Sequence, residues 1–132
     1  MFNDDHMIGI LLCLPKPEIH ISRADHIGIG YRVRLRINFR GSSAFLIRLQ
    51  RSLEHIGVKS TYKEQEHKSR PRPILRVSGI VNLVKLATFI DVDMPDSKDM
   101  WDDFREVLVI VDNGDHHTPD GLERILEIKG VV

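Results

Sequence analysis

The chain has 132 residues, 42% of them apolar, enough for one ordinary core in a single domain spanning residues 1–132 and too few for a second. Its longest apolar run, Met7 to Leu14, falls far short of the roughly 20 residues a membrane-spanning helix needs, and it lacks the basic start and small-residue cleavage site of a secretory leader. The formal net charge of zero hides a division: Lys16 to Lys85 holds 15 Lys/Arg against five acids, a net +10, whereas the chain from Leu86 onward holds four against 12, a net −8.

Asn3, Asp4 and Asp5 offer capping side chains ahead of Met7-Ile-Gly-Ile-Leu-Leu-Cys-Leu, and Pro15 and Pro17 stop the segment, so a short helix is expected there. It is apolar on every side and must be buried in the core or against another chain. The lone Cys13 forms no internal disulfide and reads as a small hydrophobe within that helix, which suits a reducing cytoplasm. Glu18-Ile-His-Ile-Ser alternates as a half-buried strand does. His26-Ile-Gly-Ile-Gly follows as a hairpin connection, with both glycines available for positive φ.

Tyr31 to Arg40 is the plainest strand. Tyr31, Val33, Leu35, Ile37 and Phe39 point one way, and Arg32, Arg34, Arg36, Asn38 and Arg40 the other. Ser42 and Ser43 can cap a helix carrying Phe45, Leu46, Leu49 and Leu53 at helical spacing and ending at Gly57. Val58 to Lys63 and Pro73 to Ser78 read as a second strand pair, joined by a polar stretch from Glu64 to Arg72 that contains no apolar anchor. A helix over Val81 to Phe89 precedes a break at Asp91 to Asp96. Trp101, Phe104, Val107, Leu108 and Val111 predict another helix. Thr118 before Pro119 opens a last one through Leu122, Ile125 and Leu126.

Four arginines alternating on one strand, joined by Lys59, Lys63, Arg70, Arg72 and Arg76 on the other pair, exceed what protection of a sheet edge requires, and point to a nucleic acid as partner. Other chemistries find little support. His116 and His117 are adjacent, so on a regular element they point apart, and no third ligand stands at finger-like spacing. Asp112, Asp115 and Asp120 lack the order of a calcium loop and suit helix caps better. There is no G-x-S-x-G, no phosphate-binding loop and no dinucleotide fingerprint, so no small-molecule cofactor is expected.

The element order, helix, hairpin, helix, hairpin, helix and two further helices, resembles the LAGLIDADG homing-endonuclease fold, an α+β αββαββα saddle here with additional C-terminal helices. The apolar helix running straight into an alternating strand carries the likeness, as do Ser97-Lys-Asp-Met-Trp-Asp-Asp-Phe and His116-His-Thr-Pro-Asp-Gly-Leu-Glu-Arg-Ile. The resemblance implies a homodimer joined through Met7, Ile8, Gly9, Ile10, Leu11, Leu12, Cys13 and Leu14. It also implies double-stranded DNA against the sheets, contacted by Arg32, Arg34, Arg36, Asn38, Arg40, Lys59, Lys63, Arg70, Arg72 and Arg76.

The sequence departs from that family at the acid that ends its apolar helix. Matching Gly9 to the motif's glycine puts Leu14 there, and sliding the match to align the strand puts Lys16 there; neither can hold Mg²⁺. Glu18 is the nearest carboxylate, and Lys98 lies near a basic position the family keeps by the scissile phosphate. The leading expectation is therefore a sequence-selective DNA binder with cleavage lost or weak, serving as a regulator. An active Mg²⁺-dependent endonuclease is the alternative. An RNA-binding or protein-interaction module is a third reading, although the exposed strand face offers few aromatics for base stacking.

Overall fold

The structure is a computed structural model that describes residues 1–90 and 100–130. Its first helix, α1 (Asp4–Cys13), starts where Asn3 Oδ1 accepts from the His6 N–H at 2.9 Å, with Asp4 and Asp5 facing the positive end of the helix dipole. Pro15 ends it and leaves a debt of one hydrogen bond. The Leu11 carbonyl would bond the N–H of residue 15, which proline lacks; the Trp101 indole Nε1 supplies that donor instead, at 2.8 Å and out of solvent.

Strands β1 (Lys16–Arg23) and β2 (Tyr31–Arg40) pair antiparallel from Lys16 opposite Asn38 to Arg23 opposite Tyr31. Between them only Gly30 takes a positive φ, +82°, so the expectation for both glycines holds for one. Helix α2 (Ser43–His55) is capped by the Ser42 hydroxyl, and after it Gly57 turns the chain with φ +82°.

Strand β3 (Thr61–Lys63) is half the length expected from the sequence, for a physical reason. The Val58 N–H donates to the Leu53 carbonyl of α2, and the Lys59 N–H donates to Asn82 Oδ1, so this stretch gives its hydrogen bonds to helical residues rather than to a neighbouring strand. Strand β4 (Ile74–Ser78) pairs antiparallel with both β3 and β2, giving one four-stranded sheet in the order β1-β2-β4-β3. Helices α3 (Ile80–Phe89), α4 (Met100–Asp112) and α5 (Pro119–Lys129) follow, the last two separated by a 3-10 turn at Asp115–His117. Thr118 Oγ1 caps α5 by accepting from the Gly121 N–H at 3.1 Å. The expected break at Asp91 to Asp96, and Lys98, lie outside the described residues.

The five described helices all contribute to the core beneath the sheet. Met7 and Leu11 of α1, Leu46, Leu49 and Leu53 of α2, Leu83 and Leu86 of α3, Trp101, Phe104 and Val107 of α4 and Ile125 of α5 pack with Leu35, Ile37, Phe39, Leu75 and Val77 from the strands. At roughly 25 cal/mol per Å² of apolar area removed from water, this shared cluster is what fixes the sheet's inner side. The opposite side of β2 is left for polar groups.

Candidate nucleic-acid interface

Cross-strand register decides which side chains share the outer face, because directly opposed residues of antiparallel strands point to the same side. On β1, Glu18 lies opposite Arg36, His20 opposite Arg34 and Ser22 opposite Arg32. On β4, Ser78 lies opposite Arg36, Arg76 opposite Asn38 and Ile74 opposite Arg40. β3 sets Thr61 opposite Arg76 and Lys63 opposite Ile74. Arg32, Arg34, Arg36, Asn38, Arg40, Lys63 and Arg76 therefore occupy one surface. His20, Ser22, Thr61 and Ser78 join them; sequence reasoning did not single these out, although the alternation Glu18, His20, Ser22 carried the signal for two of them.

The guanidinium groups on this surface are in different states. Arg34 is exposed, and no acid pairs with it among the described residues. Arg32 Nη2 donates to His26 Nε2 at 2.9 Å, and no acid pairs with it among the described residues. At the centre of the sheet, Glu18 Oε1 accepts from Arg36 Nη2 at 2.5 Å and Oε2 accepts from Asn38 Nδ2 at 2.7 Å. Asn38 Oδ1 in turn accepts from Arg76 Nε at 2.8 Å, so one chain of hydrogen bonds ties three strands together. Burial alone would raise the Glu18 carboxyl; the hydrogen bonds from Arg36 and Asn38, with the charges of Arg36 and Arg76, outweigh it and hold the group below its ordinary range. Asn38 is only 5% exposed, and both ends of its amide are satisfied, as a buried polar side chain requires.

The connection between β3 and β4 has more structure than its polar composition suggests. The Glu66 N–H donates to the Arg72 carbonyl, and residues 67 and 70 form a bridge, so the loop closes on itself. Ile74, on the outer face, is 2% exposed, an apolar residue enclosed on the polar side of the sheet. Glu66 Oε1 accepts from Arg40 Nε at 2.9 Å, and its carboxylate also lies 3.9 Å from Arg70. The Arg40 hydrogen bond, against a smaller effect of burial, holds the Glu66 carboxyl below its ordinary range. Arg70 and Arg72 sit in this loop and are exposed rather than on a strand, and Lys59 is exposed ahead of β3.

Beyond the end of β4, the open edge of β2 borders a cleft of about 440 Å³ lined by Arg34, Arg36 and Arg76 together with Val33, Leu35 and Leu83. Acids of the C-terminal helices meet cations of the same helices. Arg124 Nε donates to Glu106 at 2.6 Å and its Nη2 to the same carboxylate at 3.0 Å. Arg105 lies 3.6 Å from Asp102.

The apolar helix divides in two. Met7 and Leu11 are inside the chain's own core, which removes them from the expected dimer contact. Ile10 and Leu12 are partly buried against that core. Ile8, Gly9, Leu12, Cys13 and Leu14 retain exposure, and a methyl group added at Gly9 would meet open space. His116 and His117 do not diverge as expected for adjacent residues: in the tight 3-10 turn their rings lie against each other, tilted by 39° with centroids 3.9 Å apart. Burial and the neighbouring His117 lower the His116 ring's affinity for a proton, against a smaller pull from Asp115.

The resemblance read from the sequence implies Mg²⁺ at the end of α1, and the residues there do not fit it. Leu14, the C-cap, is 44% exposed and has no ligand atom on its side chain, and Lys16 is a cation. Glu18, the ion ligand considered from the sequence, has both oxygens engaged by Arg36 and Asn38. Among the described residues no three His, Cys, Asp or Glu gather where they could hold an ion.

No protein-family model matches the chain, and no curated protein matches it in sequence. Solved structures do match. The homing endonuclease I-TnaI superposes with a TM-score of 0.79 at 23% identity, over 96% of this chain and 85% of that one. The LAGLIDADG homing endonuclease I-SmaMI bound to cleaved DNA gives a TM-score of 0.81 at 17% identity, over 98% of this chain and 43% of that one. The LAGLIDADG meganuclease I-CpaMI bound to uncleaved DNA gives 0.78 at 17%, over 98% and 45%. The chain thus has the LAGLIDADG homing-endonuclease fold, and spans less than half the length of the last two. No described helix is long and apolar enough to cross a membrane.

Proposed function

We propose that a chain with this fold and this sheet binds double-stranded DNA sequence-selectively as a homodimer, with cleavage lost or weak. The observation that carries the reading is the outer sheet face, where register gathers Arg32, Arg34, Arg36, Arg40, Lys63 and Arg76 on the side away from the core. A surface of one sign raises the local concentration of a polyanion, and guanidinium groups match both phosphate oxygens and guanine edges. The fold relatives I-SmaMI and I-CpaMI, solved with DNA, support a duplex over RNA as the partner. Dimerisation through the exposed side of α1 is supported by Ile8, Leu12 and Leu14 beside the open space at Gly9, where another helix could approach closely. Loss of cleavage is supported by Leu14 or Lys16 in place of an acid and by the engaged carboxylate of Glu18. A binder of this kind, in a reducing cytoplasm that keeps Cys13 a thiol, would serve as a regulator at its site.

Selection from a random duplex library, read for palindromy, tests partner, specificity and symmetry together. With about eight phosphates neutralised, log affinity should fall against log salt with a slope near −7. Affinity indifferent to salt, or a preference for RNA in competition, would remove the reading. Incubation of the selected duplex with Mg²⁺ or Mn²⁺ should leave it intact; cut product would restore the nuclease alternative.

A further inference from the structure

We infer that Arg76 is a pre-oriented reader of a guanine base, positioned by Asn38 and, through it, by Glu18, whereas Arg34 is a mobile phosphate contact; this rests on the DNA-binding reading above. A guanidinium is a planar fork of five N–H groups. Arg76 commits its Nε to Asn38 Oδ1 at 2.8 Å, which fixes the plane of the fork and leaves its two terminal nitrogens together at the far end. A pair of donors in that arrangement matches the O6 and N7 acceptors of guanine in the major groove.

Glu18 sets the direction of the Asn38 amide. Rotating that amide by half a turn would bring its NH₂ against the Arg76 Nε–H and its oxygen against Glu18 Oε2, two repulsive contacts in place of two hydrogen bonds. With Asn38 nearly enclosed, the carboxylate therefore locks the amide, and the amide locks the arginine. Arg36 is held too, but it uses Nη2 on Glu18 and its Nε is enclosed without a hydrogen-bond partner, so it presents no open pair of donors. Arg34 has no such holder among the described residues. A side chain already fixed loses little rotamer freedom on binding and can discriminate by geometry; a free one can follow a phosphate wherever it lies.

The test pairs a base-preference measurement with a motional one. In the random-duplex selection, the wild-type chain should prefer guanine at one position of each half-site by about tenfold to a hundredfold. Arg76→Ala should abolish that preference and leave the other positions alone, and Glu18→Gln, which places an NH₂ among the donors, should weaken it. Arg34→Ala should keep the preference and make the slope shallower by about one. Nitrogen-15 relaxation of the arginine Nε groups in the free protein should show Arg76 nearly as ordered as the backbone and Arg34 mobile, with Arg76 loosened by Glu18→Gln. If Arg76→Ala leaves every base preference intact, or Arg76 Nε is as mobile as Arg34 Nε, the inference is wrong even though DNA binding stands. Failure of the wild-type chain to bind any duplex at low salt would instead overturn the DNA-binding reading and take base recognition with it, while the relaxation contrast would still report whether Glu18 positions Arg76.

Discussion

The two faces of β2 are built from the same ten residues and obey different rules. Leu35, Ile37 and Phe39 enter one environment, a shared apolar cluster in which each is buried and any of several hydrophobes could be accommodated. The arginines on the other face meet at least three environments: Arg34 open to solvent, Arg36 held by Glu18, and Arg40 held by Glu66. Packing is non-directional, so the inner face needs only pattern and volume. Ion pairing and hydrogen bonding are directional and local, so identical side chains two residues apart become different groups.

That contrast can be broken most forcefully from the inside. Phe39→Ala should cost about 3–5 kcal/mol of stability in denaturant unfolding, while the molecules that remain folded bind duplex as before. A loss of affinity per folded molecule would show that the two faces are not independent. From the outside, the double substitution Arg32→Ala with Arg34→Ala should lower affinity by about thirtyfold near physiological salt and make the salt slope shallower by about two. Its unfolding free energy should move by no more than about 0.5 kcal/mol, as exposed substitutions usually do.

Smaller effects separate the held arginines from the open ones. Glu66→Gln releases Arg40 from its carboxylate, so affinity for duplex should rise about fivefold and the slope should steepen by about one. No change in a filter-binding titration would mean that Arg40 already reaches DNA past Glu66, or never does. The last effect is on acid stability. Because the folded chain holds the Glu18 carboxyl below its ordinary value of about 4.5, its contribution is whole above about that pH and is lost as pH falls through the lower folded value. Denaturant midpoints followed into acid should therefore decline less steeply in Glu18→Gln than in the wild-type chain.

Much of the frame was legible before any coordinates. The strand Tyr31–Arg40 has the limits that its alternation predicts, and Asn3, Ser42 and Thr118 cap the three helices they precede. β3 is shorter than the sequence predicts because Val58 and Lys59 look like strand residues, while their N–H groups bond a helical carbonyl and Asn82. The polar loop from Glu64 to Arg72 gives no local sign that Glu66 will reach Arg40, 26 residues away. Of the candidate surface, the β2 row could be read directly. The roles of Glu18, Glu66 and His20 could not.

What the sequence determined by itself is whatever depends on near neighbours: the period of two that divides β2, the caps, and the prolines that stop α1 and strip the Leu11 carbonyl of its donor. What only the tertiary structure decided is whatever depends on register. Glu18 meets Arg36 across 18 residues, Arg76 meets Asn38 across 38, and Trp101 reaches Leu11 across 90. A hydrogen bond needs its partners within about 3 Å and in line. Such closeness between distant residues follows from how strands pair and helices pack, and no local pattern encodes it.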